Sequence, residues 1–230
     1  MRRESLLFRV KDRGRRNLMV TEARPRTGMA KENIPEANVQ VSVNLDKPGY
    51  TVEISADHQE AGVDLGILIH MLEQFFRFAE FGANIVGHGD YAHHAAEETA
   101  KILGQAIKGA LGDTREAIKR SASHIMPMEG ILVTVALDLS NRGPTLIALD
   151  VLNNKALASM AQHMLDAIAK HGGIDLYCKV EVVNPTVICN DHHALETIGK
   201  ALGFAMYEAT RITRTVIPGA NRAHAVQGQD

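Results

Sequence analysis

Two short strings carry the chemistry of this chain: His93-His94-Ala95-Ala96-Glu97 and, ninety-nine residues further on, His192-His193-Ala194-Leu195-Glu196. Over the fifteen residues that begin at each histidine pair, eight are identical: both histidines, Ala95/Ala194, the glutamates, Lys101/Lys200, Leu103/Leu202, Gly104/Gly203 and Ala106/Ala205. Both strings open stretches with helical apolar spacing, so the first histidine and the glutamate, four apart, project from one face. The second histidine is turned by roughly 100° and points elsewhere. One helix can therefore offer a His/Glu chelate to one ion and a lone imidazole to another. A single such string reads better as a solvated helix start, but a second copy at the matching place in a repeat makes ligands the better reading.

A further echo supports the register: His70-Met71-Leu72-Glu73 matches His163-Met164-Leu165-Asp166. A histidine on an apolar helical face is ordinarily a satisfied core residue. Two at equivalent points, each upstream of a His-His-x-x-Glu string, extend the ligand set to His70, His93, His94 and Glu97 in one half and His163, His192, His193 and Glu196 in the other. Eight ligands divide into two four-ligand sites. Imidazole and carboxylate without thiolate suit Mn²⁺, Fe²⁺ or Zn²⁺. Four protein ligands on a six-coordinate ion leave two positions open, which points to catalysis.

The elements that position these residues follow from periodicity and turn chemistry. Val39, Val41, Val43 and Leu45 alternate with polar residues as a half-buried strand. Asp46-Lys47-Pro48-Gly49 then turns the chain into a returning hairpin strand, Tyr50 to Ile54. A helix runs from Leu65 to Phe81 and stops at Gly82. A short strand over 84–86 leads into the first His-His helix, which ends near Leu111. The second half repeats this order, with strands over 131–137 and 145–151, a helix over 156–170, a strand over 174–183 and the second His-His helix. The expected fold is α+β, with internally duplicated strand-strand-helix-strand-helix halves, ferredoxin-like two-layer sandwiches whose mixed sheets are covered by helices. The expected divisions are a basic extension over 1–35, half-repeats over 36–122 and 123–215, and a tail over 216–230.

At 230 residues and 45% hydrophobic content the chain can bury a substantial core. A net charge of −2, no tryptophan and few aromatics give no sign of nucleic acid or membrane as partner. Residues 1–31 hold ten Lys/Arg against three Asp/Glu, so they read as a solvated, loosely docked segment. No apolar run spans a bilayer and no signal peptide opens the chain. Cys178 and Cys189 are too few for a disulfide framework and suit a reducing cytoplasm.

The chain resembles the imidazoleglycerol-phosphate dehydratase family from about Glu36 to Thr215. The resemblance is carried by Glu36-Ala37-Asn38-Val39, Val43-Asn44-Leu45-Asp46, His70-Met71-Leu72, the helix from His93 through Leu111-Gly112-Asp113, Pro127-Met128-Glu129, Leu137-Asp138-Leu139-Ser140, His163, and Asn190-Asp191-His192-His193 through Lys200-Ala201-Leu202. It implies two ferredoxin-like halves, trimers assembled into a 24-subunit shell, and two Mn²⁺ per subunit at sites shared between subunits. It also implies a metal-dependent hydro-lyase of histidine biosynthesis, acting on a phosphorylated imidazole. In that chemistry the imidazole ring binds as imidazolate, a carboxylate takes a carbon-bound proton, and hydroxyl leaves through a diazafulvene. An enol then becomes imidazole-acetol phosphate. The ring must relay electrons because the C–H is not itself acidic.

By resemblance, Glu36 stands at the family's N-terminal catalytic glutamate, Glu129 where an aspartate is usual, and Lys200 at an active-site lysine. Arg120, Arg142 and Arg222 fall at or beside phosphate-gripping positions. The chain departs from the family pattern at Glu32, Ala37, Ile69, Tyr91, Ala92, Gly130 and Gly219-Ala220-Asn221. These departures keep two other readings in view: a paralogous dimetal lyase with a different imidazole-like substrate, and a catalytically silent metal-binding shell protein. His124 lies outside the repeat and reads as a polar or substrate-edge residue.

Overall fold

In a computed structural model, which describes residues 25–213 apart from 185 and 187, the chain is a duplicated α+β fold. The first half runs β1 (Thr27–Ile34), β2 (Ala37–Asn44), β3 (Gly49–His58), α1 (Leu65–Ala79), β4 (Gly82–Tyr91) and α2 (Ala92–Leu111). After a 3₁₀ turn over Gly112–Glu116, the second half repeats it: β5 (Ser121–Met128), β6 (Ile131–Asp138), β7 (Thr145–Ala148), α3 (Lys155–Gly172), β8 (Asp175–Val182) and α4 (Asp191–Ala209). The two sheets have the same order, β1-β2-β4-β3 and β5-β6-β8-β7. In each, one parallel pair closes an otherwise antiparallel sheet.

Three expectations are corrected. Each half has one more strand than the periodicity suggested. Residues 27–34 belong to β1 and not to a loosely docked extension, while residues 1–24 lie outside the described residues. The inward positions of β1 are Gly28, Ala30, Glu32 and Ile34, a set too small and polar to read as a buried face. Its partner in the repeat, β5, turns Ala122, His124, Met126 and Met128 inward and carries Pro127 on a sheet edge, where a missing N–H costs nothing. Finally, β2 and β3 are not a hairpin: β4 inserts between them, antiparallel to β2 and parallel to β3. The Asp46–Gly49 turn therefore links strands that never pair, because the α1 crossover returns the chain to the middle of the sheet.

The helix ends follow local chemistry. Asp64 caps α1 by accepting from the Ile67 N–H, Asn154 caps α3 through Ala156 and Leu157, and Asn190 caps α4 through His193. Helix α1 ends at Ala79, two residues before the expected Phe81, and Glu80 caps it in the left-handed conformation at φ 55°. Helix α2 begins at Ala92, and its N-cap residue Tyr91 makes no side-chain cap.

Each sheet is covered on one face by its own helices, and the helices then pair crosswise between halves, α1 on α4 and α2 on α3. One continuous apolar core runs through both halves. Small residues set these crossings. A Cβ on Gly199 or Gly203 of α4 would lie 2.2 Å from the Met71 carbonyl oxygen or 2.6 Å from that of Phe75, both on α1. A Cβ on Gly104 of α2 would lie 2.7 Å from the Ile168 oxygen on α3. The glycine that the two copies share, Gly104/Gly203, is thus a helix-crossing point in both. No helix among the described residues is long and apolar enough to cross a membrane.

Candidate functional site

Crosswise pairing decides which ligands meet. His70 on α1 and His192 and Glu196 on α4 converge, with donor atoms all within 4.8 Å of one another. The two rings stack at 5.1 Å, and Glu196 Oε2 lies 3.8 Å from His70 Nε2 and 3.9 Å from His192 Nε2. Lys200 Nζ, one turn along α4, reaches Glu196 Oε1 at 2.7 Å. This bond holds the Glu196 carboxyl below the usual range and keeps it anionic. His70 Nδ1 in turn faces Glu73 at 3.5 Å. The cluster joins the two halves, since His70 belongs to the first repeat and its companions to the second.

The first-half residues are arranged differently. The His93 and His94 rings lie tilted against each other at the start of α2, with centroids 4.0 Å apart. His93 Nδ1 lies 2.6 Å from Glu60 Oε2, an oxygen that also accepts the His93 backbone N–H at 2.9 Å. His94 Nδ1 lies 2.5 Å from Asp90 Oδ1. Accepting the His93 backbone N–H is the largest cause that lowers the Glu60 pKa, and the His94 contact lowers that of Asp90 while raising that of His94. Glu97 and His163 are exposed, and His70, His192 and Glu196 are the one such cluster of three among the described residues. Periodicity pointed to neither Glu60 nor Asp90. Glu60 sits in a loop thirty-three residues upstream, and Asp90 reaches His94 only because β4 runs directly into α2.

The candidate carboxylates occupy matching turns. Glu36 lies in the β1–β2 turn, exposed, with its carbonyl accepting the Asp90 N–H at 3.0 Å, and its charge adds to the rise of the His94 pKa. Glu129 lies in the β5–β6 turn in the left-handed region at φ 43°, its Oε2 2.9 Å from His193 Nδ1 but outside hydrogen-bond alignment. Each half thus carries one turn carboxylate whose charge acts on the second histidine of its pair, at contact distance only for Glu129 and His193.

The duplicated lysines have diverged. Lys101 is held away from Glu97 by Glu32 at 2.6 Å and Glu98 at 2.9 Å, contacts that raise its pKa and bind β1 to α2. Arg120 makes a two-point pair with Asp138 at 2.7 and 3.0 Å, and Arg142 reaches Asp175 at 3.0 Å. Asp138 and Asp175 are register partners, so both arginines stand at one end of the second sheet. The Arg120 N–H bonds the Ala209 carbonyl at the far end of α4 from His192, about 25 Å away at 1.5 Å per residue. Arg222 and Gly219-Ala220-Asn221 lie outside the described residues. His124 stacks on Phe204 at 4.6 Å, well along α4 from the cluster.

A duplicated α+β chain whose crossed helices gather two imidazoles and a carboxylate has the donor set of a metal-binding protein. The imidazoleglycerol-phosphate dehydratase family model matches residues 63–158 and 157–222. An imidazoleglycerol-phosphate dehydratase from Dehalococcoides mccartyi is 33% identical over 190 residues, covering 81% of this chain and 90% of the relative. One from Saccharolobus islandicus is 41% identical over 184 residues, covering 77% and 88%. The crystal structure of the Pyrococcus furiosus protein superimposes with a TM-score of 0.63 at 26% identity, covering 80% of this chain and 94% of that one. The Staphylococcus aureus structure, at 21% identity and a TM-score of 0.66, shares the fold. The chain belongs to the imidazoleglycerol-phosphate dehydratase family and is a hydro-lyase.

Proposed function

We propose that this protein converts imidazoleglycerol phosphate to imidazole-acetol phosphate and water in histidine biosynthesis, at metal sites completed where subunits of a homo-oligomer meet. The observation that carries the reading is the convergence of His70, His192, Glu196 and Lys200 in a chain of this family. The donors fit a divalent cation. Ligands about 2.1 Å from one ion must lie roughly 3–4 Å apart, and the nitrogens stand 3.8 and 3.9 Å from the Glu196 oxygen. Two imidazoles and a carboxylate without thiolate suit Mn²⁺, with Fe²⁺ or Zn²⁺ also compatible. By the repeat, His93, Glu97 and His163 are the corresponding donors of a second ion, and His94 and His193 serve as the lone imidazoles.

The cation, when bound, supplies the positive charge that lets the substrate ring take up electron density. The remaining work falls to side chains. Lys200 keeps Glu196 charged and aimed at the histidines. Glu36, exposed on its turn beside His94, takes the carbon-bound proton. Glu129, beside His193, gives a proton to the departing hydroxyl, which leaves as water, and the proton that Glu36 takes from carbon balances it. Arg142 and Arg120 serve the phosphate of a substrate held by a neighbouring subunit, because within one chain the Arg120 backbone lies about 25 Å along α4 from His192 and Arg142 stands at the same end of the sheet. This division calls for association of subunits, for which the family resemblance implies trimers joined into a 24-subunit shell. The test is turnover of imidazoleglycerol phosphate by the manganese-loaded protein, followed by detection of imidazole-acetol phosphate. A protein that binds Mn²⁺ but releases no acetol phosphate would move the reading to a dimetal lyase with another imidazole-like substrate.

A further inference from the structure

The two His-His helices start from different chemistry. In the second copy, Asn190 and Asp191 precede the histidines. Asn190 caps α4, and Asp191 accepts the backbone N–H groups of Asn153 and Asn154 at 2.8 and 2.7 Å, tying the preceding loop to the helix start. In the first copy those two positions are Tyr91 and Ala92, which carry neither a cap nor a carboxylate. The same junction is nevertheless made, with donor and acceptor exchanged. His70 aligned with His163 places Glu60 opposite Asn153, and here it is the loop residue that supplies the carboxylate, accepting the His93 N–H at 2.9 Å. The exchange brings a carboxylate against a ligand imidazole, since the same Glu60 oxygen sits 2.6 Å from His93 Nδ1. Asp90, one residue outside the lost positions, does the same for His94 at 2.5 Å while accepting the Tyr91 N–H at 2.7 Å.

A carboxylate on Nδ1 fixes the ring's orientation and its tautomer, and makes Nε2 the better donor. We propose that Glu60 and Asp90 are positioning residues that hold His93 and His94 with Nε2 presented to a divalent cation, in place of the Asn-Asp pair that opens the second helix. The inference rests on His93 and His94 being metal ligands. It makes the first-half ligands dependent on two hydrogen-bonded carboxylates, whereas in the second half Asp191 is spent on backbone N–H groups and the one carboxylate near a ring, Glu129 at 2.9 Å from His193 Nδ1, is out of hydrogen-bond alignment.

Titration of the purified full-length protein with Mn²⁺, following the paramagnetic resonance of the free aqua ion, gives the dissociation constant directly. Glu60→Gln and Asp90→Asn each keep an amide oxygen for the backbone N–H while removing the charge from the imidazole. Each is expected to weaken Mn²⁺ binding by about 10- to 100-fold. Glu208→Gln, which removes an exposed carboxylate tied to Lys119 at the far end of α4, controls for net charge and should leave binding within about twofold. If both variants bind Mn²⁺ like the wild type while His93→Ala and His94→Ala lose it, the positioning role is refuted and the ligand assignment stands. If the two alanine variants retain full metal, the ligand assignment itself fails. Should Glu60→Gln not fold, Asp90→Asn decides, since it leaves the α2 start intact.

Discussion

Glu36 occupies a turn, exposed and close enough to raise the pKa of His94, and among the described residues it holds no ion pair that a substrate carbon would have to displace. Glu36→Gln is expected to keep metal and assembly and to lose turnover by at least about 100-fold, the scale of a positioned general base, because an amide accepts no proton. Steady-state kinetics on metal-analysed protein checks this, and unchanged turnover would shift the base to Glu129. The ligand set has its own contrast. His192→Ala removes a donor from the His70–Glu196 cluster, whereas His124→Ala removes only a ring stacked on Phe204. Metal content by elemental analysis should fall in the first variant and hold in the second. Equal content in both would contradict the cluster as a metal site.

At the scale of elements, the site depends on how closely α4 approaches α1. Gly199 lets the Met71 carbonyl come so near that a Cβ there would lie 2.2 Å from it, and backbone cannot swing aside as a side chain can. Gly199→Ala should therefore force the helices apart, at a cost of about 1–3 kcal/mol. Because His70 lies on one helix and His192 and Glu196 on the other, the same displacement should weaken metal binding. A lowered unfolding midpoint together with a raised Mn²⁺ dissociation constant is the expected pair of results. Lowered stability with intact metal affinity would show that the cluster tolerates the shift. The repeat exposed Gly104/Gly203 as a shared residue, but its meaning as a crossing point appears only when α2 meets α3 and α4 meets α1.

For the whole molecule, the arginines and the His70 cluster stand at opposite ends of α4, so one chain cannot apply both to a small substrate. Light scattering should find a large assembly, and removal of metal by a chelator should loosen it, because a cation shared between subunits stabilises their association. A fully metal-loaded monomer would contradict the composite site. Arg142→Ala should raise KM for the phosphorylated substrate by roughly 10- to 100-fold, the scale of one charged hydrogen bond worth about 1.5–3 kcal/mol. An unphosphorylated imidazole diol should be indifferent to the change, and an equal rise for both substrates would remove Arg142 from phosphate binding.

The duplicated strings, the helices that carry them and the strand β2 were legible because each is a local, periodic pattern, and periodicity reports which face of an element is buried. The candidate ligand residues followed from identity at matching positions, which needs no knowledge of the fold. Strand β1 was hidden because its inward set is Gly28, Ala30, Glu32 and Ile34, where close packing on α2 and the Glu32–Lys101 pair replace a row of large apolar side chains. The insertion of β4 between β2 and β3 was hidden because a turn motif specifies reversal, not pairing. Only tertiary structure decided that His70 joins His192 and Glu196 across the halves, and that Glu60 and Asp90 take up the histidines of α2. Such contacts join residues far apart in the chain or at the seam of two elements, and crossed helix packing, not spacing along the sequence, sets them.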